Sequence, residues 1–340
     1  MSKTVYPDRE WERISPEATG MDAAQLEKAE RYMADDPANV RYRIVVVRHG
    51  RLVAEWNREI PAEKRINLAS AAKSVFSNIL AIAVAEGKIS SVDALLADYY
   101  PEAFDVPEGE GPKPGRYAFP KDRGITLRQL IGNTSGYMKP GEEPGKVFHY
   151  QTYGMNVLTH AIAKAYGLYD ANDPKRLPGL SPLVDEKIAA PIGASFGYYR
   201  GNFDLHPKAR LGIFGYYDGI SATALDMARL GWLWCNSGRW QEQQVIPEDW
   251  LHESTRTSRE IRANAPLEQW VYGYGYWVND AGQLWPNLPR DSFAAQGAGY
   301  MLIWVCPSLD LVVVQSPGNW QDKQASDPPL LELIAAACKD

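Results

Sequence analysis

The strongest β signals lie near opposite ends of the chain, and that placement limits the folds open to it. Ile44-Val-Val-Val47 and Leu52-Val-Ala54 flank His49-Gly50. Two β-prone runs around a tight glycine turn predict a hairpin. β-Prone runs return only late, at Tyr274 to Val278, Tyr300 to Val305 and Leu311 to Gln315. Between them the apolar spacing is helical or irregular. One sheet can use both groups of strands only if the chain comes back to its start, which leaves the middle as an insertion. The regular strand–helix alternation of a doubly wound sheet is missing. The expected fold is therefore α+β: an antiparallel sheet built from both chain ends and flanked by helices, with an inserted, mostly helical domain. The expected division is 1–68 with 270–340 for the sheet domain and 69–269 for the insert.

The helices are read from period and caps. Asp22 caps a run in which Leu26, Ala29, Tyr32 and Met33 recur at helical spacing. Lys73 to Glu86 carries Val75, Phe76, Ile79, Leu80, Ala83 and Val84, and Gly87 follows as a terminating residue. A short helix is expected over Ile125 to Leu130 with Thr126 as cap, and others over Gly154 to Tyr166, Ala222 to Trp234 and Leu330 to Cys338. Residues 101–124 read as a long loop, and 171–220 show no clear period.

Composition excludes several classes of function. The 340 residues are 45% hydrophobic and carry a net charge of −6, with no basic stripe, so no nucleic-acid partner is expected. The first residues contain no apolar signal-type segment, and no apolar run is long enough to span a bilayer. Cys235, Cys306 and Cys338 are few and widely spaced, which fits a reducing compartment and small buried side chains. A cytoplasmic protein without membrane attachment is expected. The five histidines form no ligand-spaced cluster, so no metal is called for, and each reads as structural or surface. No other cofactor is expected, and oligomeric state is not readable.

Common catalytic signatures are absent. Gly219-Ile-Ser-Ala-Thr223 fails the last position of a nucleophile elbow, and there is no HExxH, phosphate-binding loop or GxGxxG. The positive signal is Ser70-Ala71-Ala72-Lys73 at the start of an apolar helix. A three-residue step puts both side chains on one face. A serine hydroxyl needs a base, and a lysine becomes one when burial lowers its pKa. On its own the spacing is weak, because a chain of this composition contains about one SxxK by accident. The structural alternative is a serine cap followed by a solvated lysine.

The surrounding residues add a family resemblance. Asn67-Leu-Ala-Ser-Ala-Ala-Lys-Ser-Val-Phe76 resembles the first motif of the serine β-lactamase and penicillin-binding protein superfamily. Ile125-Thr-Leu-Arg-Gln-Leu-Ile-Gly-Asn-Thr-Ser-Gly-Tyr137 and Pro144-Gly-Lys-Val-Phe-His-Tyr150 resemble the stretches that lead to its second motif. Ala222 to Gly231, Tyr272 to Trp277 and Gln296 to Pro307 resemble, in order, a recurrent helix, the entry to the returning strands, and the third-motif strand with its turn. The resemblance covers roughly residues 20 to 335 and implies the same architecture as the β signals.

The resemblance implies Ser70 as nucleophile, Lys73 as its base, and Tyr150 as the tyrosine that moves the proton to the leaving group. It implies an oxyanion hole from the backbone N–H groups of Ser70 and Ala298. Two departures follow. The asparagine expected two residues after Tyr150 is Thr152, and the cationic third motif reads Ala295-Gln296-Gly297. Such departures resemble the carboxylesterase and 6-aminohexanoate-dimer hydrolase branches. Thr152, Tyr216, Tyr217, Gln296 and Gly297 are candidates for substrate contact, whereas Trp232 and Trp234, repeating along a helix, read as core.

The expected function is a serine hydrolase acting on a small ester or linear amide through an acyl-enzyme on Ser70. Three alternatives stand beside it. A β-lactamase or D-Ala-D-Ala peptidase is disfavoured by the missing cation and Thr152. An acyltransferase would put an alcohol or amine in place of water. A non-catalytic binding protein on the same fold is the last.

Overall fold

The computed structural model describes residues 4–202, 204–317 and 329–339. Its main sheet has six strands in the order β2-β1-β9-β8-β7-β6, where β1 is Tyr42–Arg48, β2 Arg51–Arg58, β6 Trp277–Val278, β7 Phe293–Gly297, β8 Met301–Cys306 and β9 Leu311–Pro317. The chain does return to its start. β1 pairs antiparallel with β9 from Tyr42 opposite Pro317 to Arg48 opposite Leu311. The hairpin forms as expected, with His49 and Gly50 both at positive φ (52° and 74°), as a tight two-residue hairpin turn requires.

Every residue of β1 and β9 is buried. Both faces of the sheet are covered, which explains why these strands read as continuous apolar runs and not as alternating ones. Ile44, Val46, Leu302, Trp304 and Val313 face one core with α1 (Ala23–Asp35) and the last helix, Pro329–Ala336. Val45, Val47, Ile303, Val305, Val312 and Val314 face the larger core. That core is filled by α2 (Ala72–Ala85), α3 (Leu127–Ile131), α4 (Tyr153–Ala165) and α5 (Ala224–Cys235), which makes the last helix α6. The fold is thus an antiparallel sheet drawn from both chain ends, flanked by helices, with a largely helical middle. Trp232 and Trp234 are fully buried core, as their spacing predicts.

The caps explain the helix starts. Asp22 accepts from Ala24 N and Gln25 N, and Thr126 and Gln129 form a reciprocal capping box. Gly87, at φ 69°, ends α2.

Three expectations need correction. The strand expected over Tyr274 to Val278 shrinks to Trp277–Val278, because Gly275 takes φ 90° and packs on α2, where a Cβ would lie 2.9 Å from Lys73 O and Ser77 Cβ. β7 was not anticipated upstream of Gln296. Phe293-Ala-Ala-Gln-Gly is poor in β-branched residues, and its pairing with β8 decides its state. Residues 171–220 hold two strands of a small sheet ordered β3-β5-β4, with β3 at Ile66–Asn67, β4 at Gly197–Gly201 and β5 at Tyr217–Ala222.

α5 approaches the sheet through Gly231, where a Cβ would run into Val312 Cγ1 and lie 3.0 Å from Ile303 Cγ2. Replacing Gly231 with valine should overpack this contact and lower stability by about 1–3 kcal/mol. Thermal melting of the two proteins checks this, and an unchanged melting temperature would mean that α5 can move off the sheet freely.

Candidate active site

Ser70 sits in a 3-10 turn, Ala69–Ala71, that runs directly into α2. The turn is held from both sides. Asn67 Oδ1 accepts from Ala69 N at 2.8 Å, and Ala69 is at φ 47°, a left-handed conformation that a non-glycine residue adopts only under constraint. On the other side the end of β7 presses against the turn. At Gly297 a Cβ would collide with Leu68 O and lie 3.2 Å from Ala71 N, so only glycine permits this approach. The next residue, Ala298, is thereby brought to the cavity at Ser70.

α2 is buried along almost its whole length, which is why its apolar residues run all round it. Its polar side chains are satisfied inside the core. Ser74 Oγ donates to Gly275 O at 2.6 Å, Asn78 Nδ2 donates to Tyr276 OH at 2.6 Å, and Trp234 Nε1 donates to Asn78 Oδ1 at 2.9 Å.

Lys73 is 4% exposed, and its Nζ lies 2.7 Å from Ser70 Oγ. Burial disfavours the ammonium form and lowers its pKa to about 8. Roughly a tenth of the amine is neutral at pH 7 and half near pH 8. The neutral amine can accept the Ser70 proton through the same contact, with donor and acceptor exchanged.

Tyr150 completes the group. Lys73 Nζ stands 4.9 Å from its ring centroid. Burial pushes the Tyr150 phenol up, and its hydrogen bond with Ser70 works the other way. The ring is boxed by two aromatics, Trp277 stacked at 5.6 Å and Tyr272 edge-on at 5.7 Å, which contact each other at 5.3 Å. The backbone on either side of Tyr150 is clamped by Asn133. His149 N donates to Asn133 O, and Gln151 N to Asn133 Oδ1, each at 2.9 Å. This gives a physical role to the Ile125–Tyr137 stretch singled out in the sequence.

Ser70 and Lys73 open onto a cavity of about 440 Å³, and Tyr150 is not among its lining residues. Of the substrate-contact candidates, Thr152 and Tyr217 line it, as does Ala298, the expected oxyanion-hole donor. Tyr216, Gln296 and Gly297 are not among its lining residues. Tyr216 is turned towards the Arg200 guanidinium, 5.6 Å from its ring centroid, Gln296 is paired within the sheet opposite Leu302, and Gly297 packs behind Ser70. Sequence reasoning did not pick out Asn67, Phe76, Met155, Asn156 and Tyr199, which also line the cavity. Asn67 lies three residues before Ser70 and bonds the Tyr199 hydroxyl through Nδ2. Met155 and Asn156 follow Thr152 at three and four residues, so a helical period from Thr152 points to both. Phe76 stands in the same relation to Lys73.

Among the described residues, Lys73 is the one cation in the cavity wall. No group of three or more metal-ligating side chains is found, and no helix is long and apolar enough to cross a membrane. His160, the one buried histidine, donates from Nε2 to Gly215 O and stacks on Tyr169, and burial holds its pKa down at about 3.

Three comparisons bear on this site. A beta-lactamase family model matches residues 30–316. None of the curated proteins matches the chain in sequence. Several solved structures share its fold. A penicillin-binding protein homologue from Caulobacter crescentus has a TM-score of 0.65 at 15% identity, over 99% of both chains. EstCE1, a hydrolase with promiscuous acyltransferase activity, has a TM-score of 0.66 at 14% identity, over 93% of this chain and 98% of its own. A family VIII carboxylesterase has a TM-score of 0.63 at 17% identity, over 94% and 98%.

The lowered pKa of Lys73 gives a pH dependence with a definite sign. Ser70 should be modified by a fluorophosphonate faster as pH rises, half-maximally near pH 8, with a plateau above. A rate that stays flat from pH 6 to 9.5 would show that the amine is not the proton acceptor.

Proposed function

This chain belongs to the beta-lactamase family, and on that premise we propose that it is a serine hydrolase cleaving small esters, or linear amides, through an acyl-enzyme on Ser70. The observation that carries this reading is the 2.7 Å contact between Ser70 Oγ and a buried, pKa-lowered Lys73 at the wall of an open cavity.

In the proposed mechanism, neutral Lys73, with Tyr150 beside it, takes the proton of Ser70 as Oγ attacks the carbonyl carbon. The oxyanion is held by the backbone N–H groups of Ser70 and Ala298, the type of stabilisation that often supplies the largest catalytic term. Tyr150 or Lys73 returns the proton to the leaving alcohol or amine. Water then enters along the same path, loses a proton to the same base, and releases the acid. The aromatic box and the Asn133 clamp supply the fixed orientation that proton transfer needs. The step requires no metal or organic cofactor.

The reading favours neutral acyl groups over β-lactams. Lys73 is committed to Ser70, and no second cation stands in the described cavity wall to receive a substrate carboxylate. The third-motif position that would carry one is Ala295, fully buried in β7. An alcohol or amine acceptor in place of water would give acyl transfer on the same machinery.

Intact-protein mass spectrometry after incubation with p-nitrophenyl acetate or butanoate and with a penicillin tests the proposal. The ester should be turned over with a transient acyl adduct, lost in Ser70→Ala, with kcat down at least about 10³-fold. Penicillin should leave no lasting adduct. Hydrolysis that persists in Ser70→Ala would sink the mechanism, and a penicilloyl adduct on Ser70 would reassign the substrate class.

A further inference from the structure

The cavity beside Ser70 contains one polar side chain whose direction is fixed by the fold and whose acceptor is left unused. Asn156 lies on α4, 5% exposed, and its backbone N donates to Thr152 O at 3.0 Å. It therefore stands one helical turn beyond Thr152, on the same cavity wall. Its Nδ2 donates to Phe214 O at 3.0 Å. Only the NH₂ half of an amide can donate to a carbonyl, so this contact settles which way the amide points. One turn further along α4, His160 Nε2 donates to Gly215 O at 2.8 Å. Two successive carbonyls are thus tied to α4, and the Asn156 amide cannot turn without breaking a buried bond. Among the described residues no donor meets Asn156 Oδ1.

The other walls say what kind of donor suits it. Phe76, Met155, Ala69 and Ala72 are apolar. Asp218 also borders the cavity, but its carboxyl is turned to the far face of β5, where Oδ2 accepts from Leu180 N at 3.0 Å and Oδ1 lies 3.7 Å from Arg200 Nε. No carboxylate of the described lining therefore faces inward, and a substrate ammonium would be desolvated without a counter-charge. A neutral donor costs far less to bring in, and an acyl group without one leaves a desolvated carbonyl unpaired.

Building on the reading of Ser70 as nucleophile, we propose that Asn156 is the specificity-determining residue of the acyl site and that its Oδ1 selects acyl groups carrying a neutral hydrogen-bond donor. The substrate class is then hydroxyacyl or N-acylaminoacyl esters or amides, in preference to plain alkanoyl ones. An amide is missing at position 152, where the family motif has one. Here an amide stands one turn farther along α4, so acyl-group recognition moves along the helix with it.

The test uses p-nitrophenyl esters in near-isosteric pairs: 3-hydroxybutanoate against 3-methylbutanoate, and N-acetylglycinate against 4-oxopentanoate. Rates are corrected with the Ser70→Ala protein. In wild type, kcat/KM should favour the donor-bearing member of at least one pair by roughly tenfold or more. In Asn156→Leu the ratio should fall to about one or invert, in keeping with loss of that single contact. A purely structural role in holding Phe214 O would lower both members equally and leave the ratio where it was, and that result overturns the proposal. So does a wild-type ratio near one in both pairs. If Asn156→Leu does not give a folded protein by circular dichroism, Asn156→Ala carries the same comparison. Failure of the underlying reading looks different: no ester is turned over, or turnover survives in Ser70→Ala, and the acyl-site assignment falls with it.

Discussion

The arrangement of the site depends on keeping the Lys73 amine out of water. An ammonium in that position is disfavoured, and its pKa falls to about 8. Excluding water from a residue in the first turn of a helix requires cover on all sides of that helix. The fold provides it: α2 runs through the larger core, with the sheet behind it and the helices of the middle of the chain around it. The polar side chains carried into this core on the same helix are then obliged to find partners, and Ser74, Ser77 and Asn78 find them in Gly275, Trp250, Tyr276 and Trp234. Those bonds tie the helix that carries Lys73 to segments far away in sequence.

The remaining groups are placed by backbone constraints more than by side-chain reach. Ala69 is held left-handed by the Asn67 cap, and Gly297 lets β7 close against the turn that carries Ser70. Tyr150 is oriented from two directions, by the Asn133 clamp on its backbone and by Tyr272 and Trp277 against its ring. The opposite end of the cavity is held through α4, where Asn156 and His160 tie down the carbonyls of Phe214 and Gly215. Ser70 and Lys73 therefore share one stretch of chain, Tyr150 and Asn156 share another, and both are held by segments distant in sequence, at Asn133, Phe214–Gly215, Tyr272–Trp277 and Gly297.

Much of the fold was legible in the sequence because it is local. The hairpin follows from β-branched runs around His49-Gly50, and the helices from period and from caps such as Asp22, Thr126 and Gly87. What was missed has the opposite character. The stretch around Gly275 looked like a strand because its aromatics favour one, yet its glycines let it bend onto α2. Phe293–Gly297 looked like nothing, because alanine and glycine carry no β preference, yet β8 recruits it. Gln296 was plausible from its place in the third-motif stretch and is paired within β7, whereas Tyr216 stands just before β5 at φ 57° with its ring towards Arg200.

By itself the sequence determined that both ends share a sheet and that a serine and a lysine lie on one helical face, since periodicity and three-residue spacing are properties of the chain alone. It also determined that no third-motif cation accompanies them. Only the tertiary structure decided that the lysine is dry, that Tyr150 is boxed by Tyr272 and Trp277, and that the Asn156 amide is tied to Phe214 O at the cavity wall. Each of these depends on desolvation and on hydrogen bonds between segments distant in sequence, and such terms have no value until the chain has folded.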